Sequence, residues 1–301
     1  MKILAIIITY NRSNLLLRCI KFLNNQARIP DDIIVINNGS TDNTESCLIE
    51  NNINFITQDN IGSAGGWFTG INYALKNNFD AVWMMDDDGY PERNALSILE
   101  KYLLQDNNVC CSSMVVDYNN INNLIFPLPI FNINNFPKII GFKRKIYTLD
   151  ELKKCTSDLI YPYAQLFNGA LISTKAITKI GNINKNYFIF GEETDYFYRL
   201  KKVGNVISVN NALHFHPNVK NRTYSNTKVF YYIKNSFINN SKHMDHSFFR
   251  NIMVMIIIIY RCLMRNGIFF VLSLLMGPNS KYFYPAIWKG IKKESSFHIH
   301  E

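Results

Sequence analysis

Three consecutive carboxylates, Asp86, Asp87 and Asp88, follow directly on the apolar stretch Ala81–Met85. Adjacent acids at the end of a buried strand repel one another. A hard divalent cation that prefers oxygen ligands, Mg²⁺ or Mn²⁺, relieves that repulsion, and its open positions suit a phosphorylated substrate. The competing reading is a solvated acidic turn. A second acidic group, Glu192-Glu193-Thr194-Asp195, stands after Gly191. A carboxylate there can take a proton from a hydroxyl, as a general base does, although acids also gather at helix N-termini because of the dipole. His214 and His216 are two apart, so on a strand they share one face. Either can complete a metal shell begun by the Asp run, or serve as an ordinary core or surface histidine.

Three loops upstream add polar groups. Thr9-Tyr10-Asn11-Arg12 and Asn37-Asn38-Gly39-Ser40 each follow an apolar run. In open α/β sheets, ligands bind at the carboxyl ends of such strands. Arg12 can face a phosphate or a base, and Asn37 offers a donor and an acceptor to a base edge. The third loop runs from Asn60 through Gly62, Gly65 and Gly66 to Trp67. Glycines ahead of a helix let the backbone approach an anion closely. Neither the Lys-Ser/Thr of a P-loop nor G-x-G-x-x-G is present, which excludes a typical NTPase or dinucleotide fold.

The elements that must hold these residues alternate. Ile3–Thr9 is a buried strand, and Ser13 caps a helix bearing Leu16, Leu17, Ile20 and Leu23. Ile33–Ile36 is a second strand, Asp42 with Glu45 forms a capping box, and Phe55–Thr57 is a third strand. A helix covers Ala64–Asn78, a strand Ala81–Met85, and Pro91 sits where another helix can start. This βαβα order implies an α/β fold, a mostly parallel sheet with helices on both faces. From Asn107 to Asp158 the pattern weakens into loops and short strands, suited to a lid over a site. Periodicity returns at Leu166–Thr174, a helix runs from Glu192 to Lys202, and a strand covers Val206–Phe215.

Taken together these residues resemble the family 2 glycosyltransferases of GT-A fold. Ile8–Arg12, Asn38-Gly39-Ser40-Thr41-Asp42, the Asp run, Asn168-Gly169-Ala170 and Glu192-Glu193-x-Asp195 fall in that family's order over residues 1–235. Asn60-x-Gly62-x-x-Gly65-Gly66-Trp67, the full Asp run and Tyr231-Tyr232-Ile233-Lys234-Asn235 are most similar to the bacterial galactofuranosyltransferases, with rhamnosyltransferases using dTDP-rhamnose close behind. The resemblance implies an inverting transfer from a nucleotide sugar, UDP-galactofuranose first among the candidates. It implies Glu193 as catalytic base, where Asp is commoner. Asp87, Asp88 and His216, with His214 as second choice, would hold Mn²⁺ or Mg²⁺. Thr9, Arg12, Asn37, Asn60, Gly65, Gly66, Asp86 and Asp87 would bind the donor. Asn37 replaces an Asp that meets uracil in many members. Trp67, Glu192 and Asn168 would meet the acceptor, although Trp67 also suits a core.

The resemblance divides the chain into a GT-A domain at 1–235, with a nucleotide-sugar half at 1–106 and an acceptor half at 107–235, and a C-terminal helical region at 236–301. That last region is very apolar between Phe248 and Met276, but Arg261 and Arg265 interrupt it, so no unbroken run reaches a membrane-spanning length. Buried or interfacial helices are expected instead. The flanking Lys242, Arg250, Arg261, Arg265, Lys281, Lys289, Lys292 and Lys293 suit an anionic membrane surface. The net charge of +9 likewise suits an anionic partner. The expected partners are a nucleotide-sugar donor and a lipid-linked glycan of an O-antigen or capsule. The expected place is the cytoplasm, peripheral on the inner face of a bacterial plasma membrane. The start carries no secretory signal pattern, and the six Cys show no C-x-x-C spacing, which fits reduced thiols. Two other classes remain. A sugar-nucleotidyltransferase would want a glycine-rich loop where Thr9–Arg12 stands. A nucleic-acid-binding protein would want a zinc finger, bZIP or RNP motif, and none is present.

Overall fold

The computed structural model describes residues 1–156, 158–218 and 222–294. In chain order the first elements are β1 (Ile3–Thr9), α1 (Ser13–Asn24), β2 (Asp32–Asn37), α2 (Thr44–Glu50), β3 (Phe55–Thr57), α3 (Gly62–Lys76) and β4 (Ala81–Asp86). Then come β5 (Tyr90–Pro91), α4 (Ala95–Leu103), β6 (Asn108–Asp117), β7 (Asn120–Pro129), β8 (Lys145–Thr148), α5 (Leu149–Cys155), β9 (Ile160–Tyr161) and β10 (Asn168–Ser173). The chain continues with α6 (Thr174–Ile180), α7 (Glu192–Leu200), β11 (Asn205–His216), α8 (Asn226–His243), α9 (Ser247–Asn266), α10 (Ile268–Met276) and α11 (Ser280–Ile291).

The main sheet runs β3-β2-β1-β4-β10-β6-β11-β5. Strands β1 to β4 are mutually parallel, β10 is antiparallel to both β4 and β6, and β11 is parallel to β6. Two reversals restore the original direction. The carboxyl ends of β1, β2, β4, β6 and β11 and the amino end of β10 therefore share one edge, and the candidate residues gather there. Alternation along β1 separates two cores. Leu4, Ile6 and Ile8 pack with Trp67 and Ile71 of α3 on one face, and Ile3, Ala5 and Ile7 pack with Leu16 and Leu23 of α1 and Leu99 of α4 on the other. The expected helices on both faces are present, and the fold is the GT-A fold with added C-terminal helices.

Several local expectations fail for physical reasons. Ser13 does not cap α1; its hydroxyl donates to Asn43 Oδ1 at 2.9 Å. Asp42 and Glu45 form no capping box. Asp42 Oδ1 takes the Thr44 N–H at 3.0 Å, while Glu45 turns to Asn37 and Thr57. Pro91 starts no helix: Tyr90–Pro91 pairs with β11, and α4 begins at Ala95. The weak region from Asn107 holds two ten-residue strands, β6 and β7. Asparagines and the prolines 127 and 129 hide β7 from its sequence, and both prolines lie in the half of β7 that pairs with β8 alone, beyond its pairing with β6.

The C-terminal helices also depart from expectation. Helix α8 runs unbroken across residue 235, where the chain was divided. Helix α9 continues for 20 residues through Arg261 and Arg265, and it is the one helix among the described residues long and apolar enough to cross a membrane. Only 11% of its apolar window is buried, so α9 is not a buried helix.

Candidate active site

At the shared edge, β1 delivers Thr9 and β4 delivers the Asp run. Thr9 Oγ1 donates to Asp87 Oδ2 at 2.7 Å. Arg12 Nη1 reaches Asp87 Oδ1 at 3.0 Å and Asp88 Oδ2 at 3.1 Å. From β11, His216 Nε2 lies 3.1 Å from Asp88 Oδ1, and Arg222 reaches Asp88 Oδ2 at 3.1 Å. Burial disfavours the Asp88 charge, but His216, Arg12 and Arg222 outweigh it and hold its carboxyl below the usual range. Asp86 behaves oppositely, because burial and the neighbouring Asp88, Asp87 and Glu193 push it up. Arg222 was missed in the sequence, since it lies in no apolar or acidic pattern.

The two histidines separate. His216 faces Asp88. His214 is fully buried, and a Cβ on Gly89 would fall 2.2 Å from its Nε2 and one on Gly169 2.9 Å from its Nδ1. Burial and His216 lower its pKa to about 3, so it stays neutral. His214 packs beneath the two glycines with both ring nitrogens unpartnered, and His216 is the histidine that meets Asp88. Among the described residues no set of three His, Cys, Asp or Glu converges as a metal cage. Asp88 and His216, both buried, are the carboxylate and imidazole that meet at this edge. One carboxylate and one imidazole fit a Mn²⁺ or Mg²⁺ that takes its other ligands from water and phosphate.

Four donor-loop expectations are corrected. Gly65 and Gly66 lie inside α3, within the span expected for that helix, which itself starts two residues earlier at Gly62. A Cβ on Gly65 would meet Ile61 at 2.4 Å and one on Gly66 would meet Ile8 at 2.9 Å, so these glycines serve packing against the protein rather than a ligand. Asn60 Oδ1 caps the turn into α3 by accepting from Gly62 N at 3.1 Å. Asn37 is fully buried, and both ends of its amide are engaged, by Ser40 N at 3.1 Å and by Glu45 at 3.2 Å. It shapes the loop instead of presenting a free edge to a base.

Across the edge, α7 presents Glu193. Its Oε1 accepts from Leu166 N at 2.6 Å. Burial raises its pKa to about 7, opposed by the backbone donors and reinforced by Glu192. Glu193 lines a cavity of about 180 Å³ together with Lys145, Tyr163 and Tyr198 and the prolines 127 and 129. Glu192, one residue earlier, points about 100° away around the helix. Its Oε1 accepts from Ser63 at 2.6 Å and so braces α3, while its Oε2 is buried without a partner. Trp67 is also no acceptor platform: it is fully buried and stacks on Phe167 at 4.7 Å. Asn168 stays at the site, buried at the start of β10 with its Oδ1 unpartnered. Asp195 is structural, held by Arg199 at 2.8 Å and His243 at 2.9 Å.

The turn into α7 is strained and clamped. Phe188, Phe190 and Gly191 all have left-handed backbones, with φ of 63°, 61° and 87°. Such non-glycine conformations cost ~1–3 kcal/mol each unless the surroundings impose them. Asn235 of α8 imposes them: its Nδ2 donates to the carbonyls of Tyr187 at 2.9 Å, Ile189 at 3.0 Å and Phe190 at 2.6 Å. Asn239 adds Gly191 O at 2.7 Å.

A mostly parallel sheet with metal-competent acids at its carboxyl edge and a buried carboxylate across the cleft defines a GT-A glycosyltransferase. The chain belongs to glycosyl transferase family 2, whose description matches residues 4–157. It is similar to the galactofuranosyltransferase GlfT1 of Mycobacterium tuberculosis, at 29% identity over 212 residues, 67% of this chain and 65% of that one. The GlfT1 of Mycolicibacterium smegmatis matches at 27% over 66% of this chain and 65% of its own. The match thus spans about two thirds of these relatives. Among solved structures, S. aureus TarS superposes with TM-score 0.59 at 12% identity, over 97% of this chain and 49% of that one. The mannosyltransferase PcManGT of Pyrobaculum calidifontis, in complex with GDP-Man and Mn²⁺, gives 0.53 at 12%, over 97% and 86%. These similarities share the fold.

Proposed function

We propose that the protein is an inverting, metal-dependent glycosyltransferase. It moves a sugar, galactofuranose from UDP-galactofuranose, onto a hydroxyl of a lipid-linked glycan in bacterial surface-polysaccharide synthesis. The observation that carries this reading is Glu193: a buried carboxylate with a pKa near neutrality, lining a cavity within electrostatic reach of Asp86. A general base works best with its pKa near the operating pH. The relatives named as galactofuranosyltransferases support the choice of sugar.

The acceptor hydroxyl oxygen bonds to the anomeric carbon from the face opposite the leaving group. The bond from that carbon to the β-phosphate oxygen breaks, and its electron pair leaves with the nucleoside diphosphate. The hydroxyl proton passes to Glu193. Positive charge grows on the sugar ring in between, as in glycoside hydrolysis. Asp88 and His216 would hold a divalent cation, which offsets charge on the departing diphosphate. Arg12 and Arg222 sit where phosphate oxygens can exchange for Asp88 as their partner. Asn168 Oδ1, buried and without a hydrogen-bond partner, would accept from a sugar hydroxyl.

The lipid-linked acceptor and a peripheral position on the cytoplasmic face of an anionic membrane rest on the C-terminal helices. Phe248, Phe269, Met276 and Trp288 are exposed there beside Arg250, Arg265, Lys289 and Lys292. Apolar side chains rimmed by cations suit a lipid interface. Thermal-shift screening against nucleotide sugars with and without Mn²⁺ tests the donor. A rise in melting temperature with UDP-galactofuranose that needs Mn²⁺ is expected; a response to no nucleotide sugar would contradict the proposal.

A further inference from the structure

One buried imidazole takes no part in the transfer step. His214 is fully buried, and neither of its ring nitrogens has a hydrogen-bond partner among the described residues. Buried polar groups are nearly always hydrogen-bonded, so a side chain that is not holds its place for another reason. Its shape supplies one. His214 and His216 stand two residues apart on β11 and share one face of the strand. His216 meets Asp88 through a polar contact at 3.1 Å. His214 meets the next residue, Gly89, by filling space.

A Cβ on Gly89 would overlap His214 Nε2 and stand 3.2 Å from the Phe215 carbonyl oxygen. Gly89 is not among the glycines with a left-handed backbone. Its backbone would accept an alanine, and the imidazole is what excludes one. On the other side of the ring, Nδ1 lies 2.9 Å from where a Cβ on Gly169 would fall. Gly169 sits at the register shift where β10 interrupts its pairing with β4, directly after Asn168. The ring is therefore wedged between the residue that follows Asp88 and the residue that follows Asn168. Strand pairing fixes the wedge. His214 lies opposite Pro91 and Phe215 opposite Tyr90, so β11 grips the chain just past the acid turn.

We propose that His214 is a positioning residue whose ring sets the separation between the acid turn ending in Asp88 and the turn at Asn168, and with it the geometry in which Asp88 and His216 receive a divalent cation. The proposal rests on the metal-dependent reading above and deepens it. His214 acts through Gly89 and Gly169, not as a ligand. Removing the ring lets the acid turn sink, and adding a Cβ to Gly89 drives it outward. Either change displaces Asp88 from His216. The two changes together remove the overlap and put a methyl group into the vacated space.

The test follows the UDP-induced rise in melting temperature of the full chain as Mn²⁺ is added, and reads the half-saturating Mn²⁺ concentration, with melting in EDTA recorded alongside. Gly89→Ala is expected to raise that concentration at least about tenfold, and His214→Ala at least about threefold. Introduced into the Gly89→Ala protein, His214→Ala should instead lower it, to within about threefold of wild type, because residues that share one space are not additive. A merely structural role for His214 would lower the melting temperature in EDTA and leave the half-saturating concentration where it was. If His214→Ala does not fold, His214→Asn, also smaller than the imidazole, carries the same expectations. A His214 substitution that acts in the same direction in both backgrounds, or that leaves the Mn²⁺ requirement of the wild-type background unchanged, overturns the proposal. Wild-type protein with no Mn²⁺-dependent response to UDP contradicts the proposed function and takes the positioning role with it, whereas a wild-type response with additive variants overturns the positioning role alone.

Discussion

At the sheet edge, Asp88 meets His216, Arg12 and Arg222 at 3.1 Å each, whereas across the cleft Glu193 is held by backbone donors and, among the described residues, Lys145 meets no carboxylate. In the first region Asp88 has its charge balanced within the protein, while Asp86 two residues earlier does not. A diphosphate and a cation that bind there exchange partners with groups already in place, so little new order is required. The second region leaves its charges unsatisfied. Burial that its backbone donors only partly offset is what lifts the Glu193 pKa to about 7, and a carboxylate held by three cationic partners like Asp88 could not accept a proton near neutral pH. Satisfaction suits binding, and its absence suits proton transfer.

The contrast breaks most visibly at Glu193. Glu193→Gln keeps the shape and loses the base, so kcat should fall by ~10²–10⁴-fold while the donor-induced thermal shift is retained. Trp67→Ala should destabilise the protein by ~3–5 kcal/mol in chemical denaturation, as a buried aromatic does, and leave the acceptor KM of the folded fraction unchanged. A raised acceptor KM at normal stability would return Trp67 to the site. Asp88→Asn removes the charge that gathers three cationic partners. The Mn²⁺-dependent part of the donor thermal shift should disappear, with donor affinity falling by at least about tenfold. Gly191→Ala adds a Cβ at φ 87° that would meet Asn235 Cβ at 2.7 Å. Its expected cost is ~1–3 kcal/mol, with kcat lowered more than donor affinity because this turn aims Glu193 and not the Asp run.

Reading the sequence located the chemistry better than it located the partners. The acids after β4 were legible from their strand-end position, whereas Glu193 and His216 were singled out by the family resemblance, since alternation alone puts His214 and His216 on one face. Gly65, Gly66 and Trp67 misled, because a glycine that admits Ile8 and one that admits a ligand look alike in one dimension. Glu192 misled because adjacent residues at a helix start diverge. Arg222, Lys145 and the Asn235 clamp act across long stretches of chain, and only the fold brings them to Asp88, to the cavity and to the turn before α7. Lys234 and Asn235 did stand out as a motif, but nothing local said that one amide would hold three carbonyls.

The most direct test of the central claim is the pH dependence of kcat for sugar transfer in wild-type protein and in Glu193→Gln. Glu193 has a raised pKa and acts only when deprotonated, so wild-type kcat should climb with pH and level off above about 7, as set by the buried carboxyl. The variant should be slow at every pH and show no such rise. A variant that transfers at the wild-type rate, or that keeps the same rise near pH 7, would contradict the assignment of Glu193 as the base.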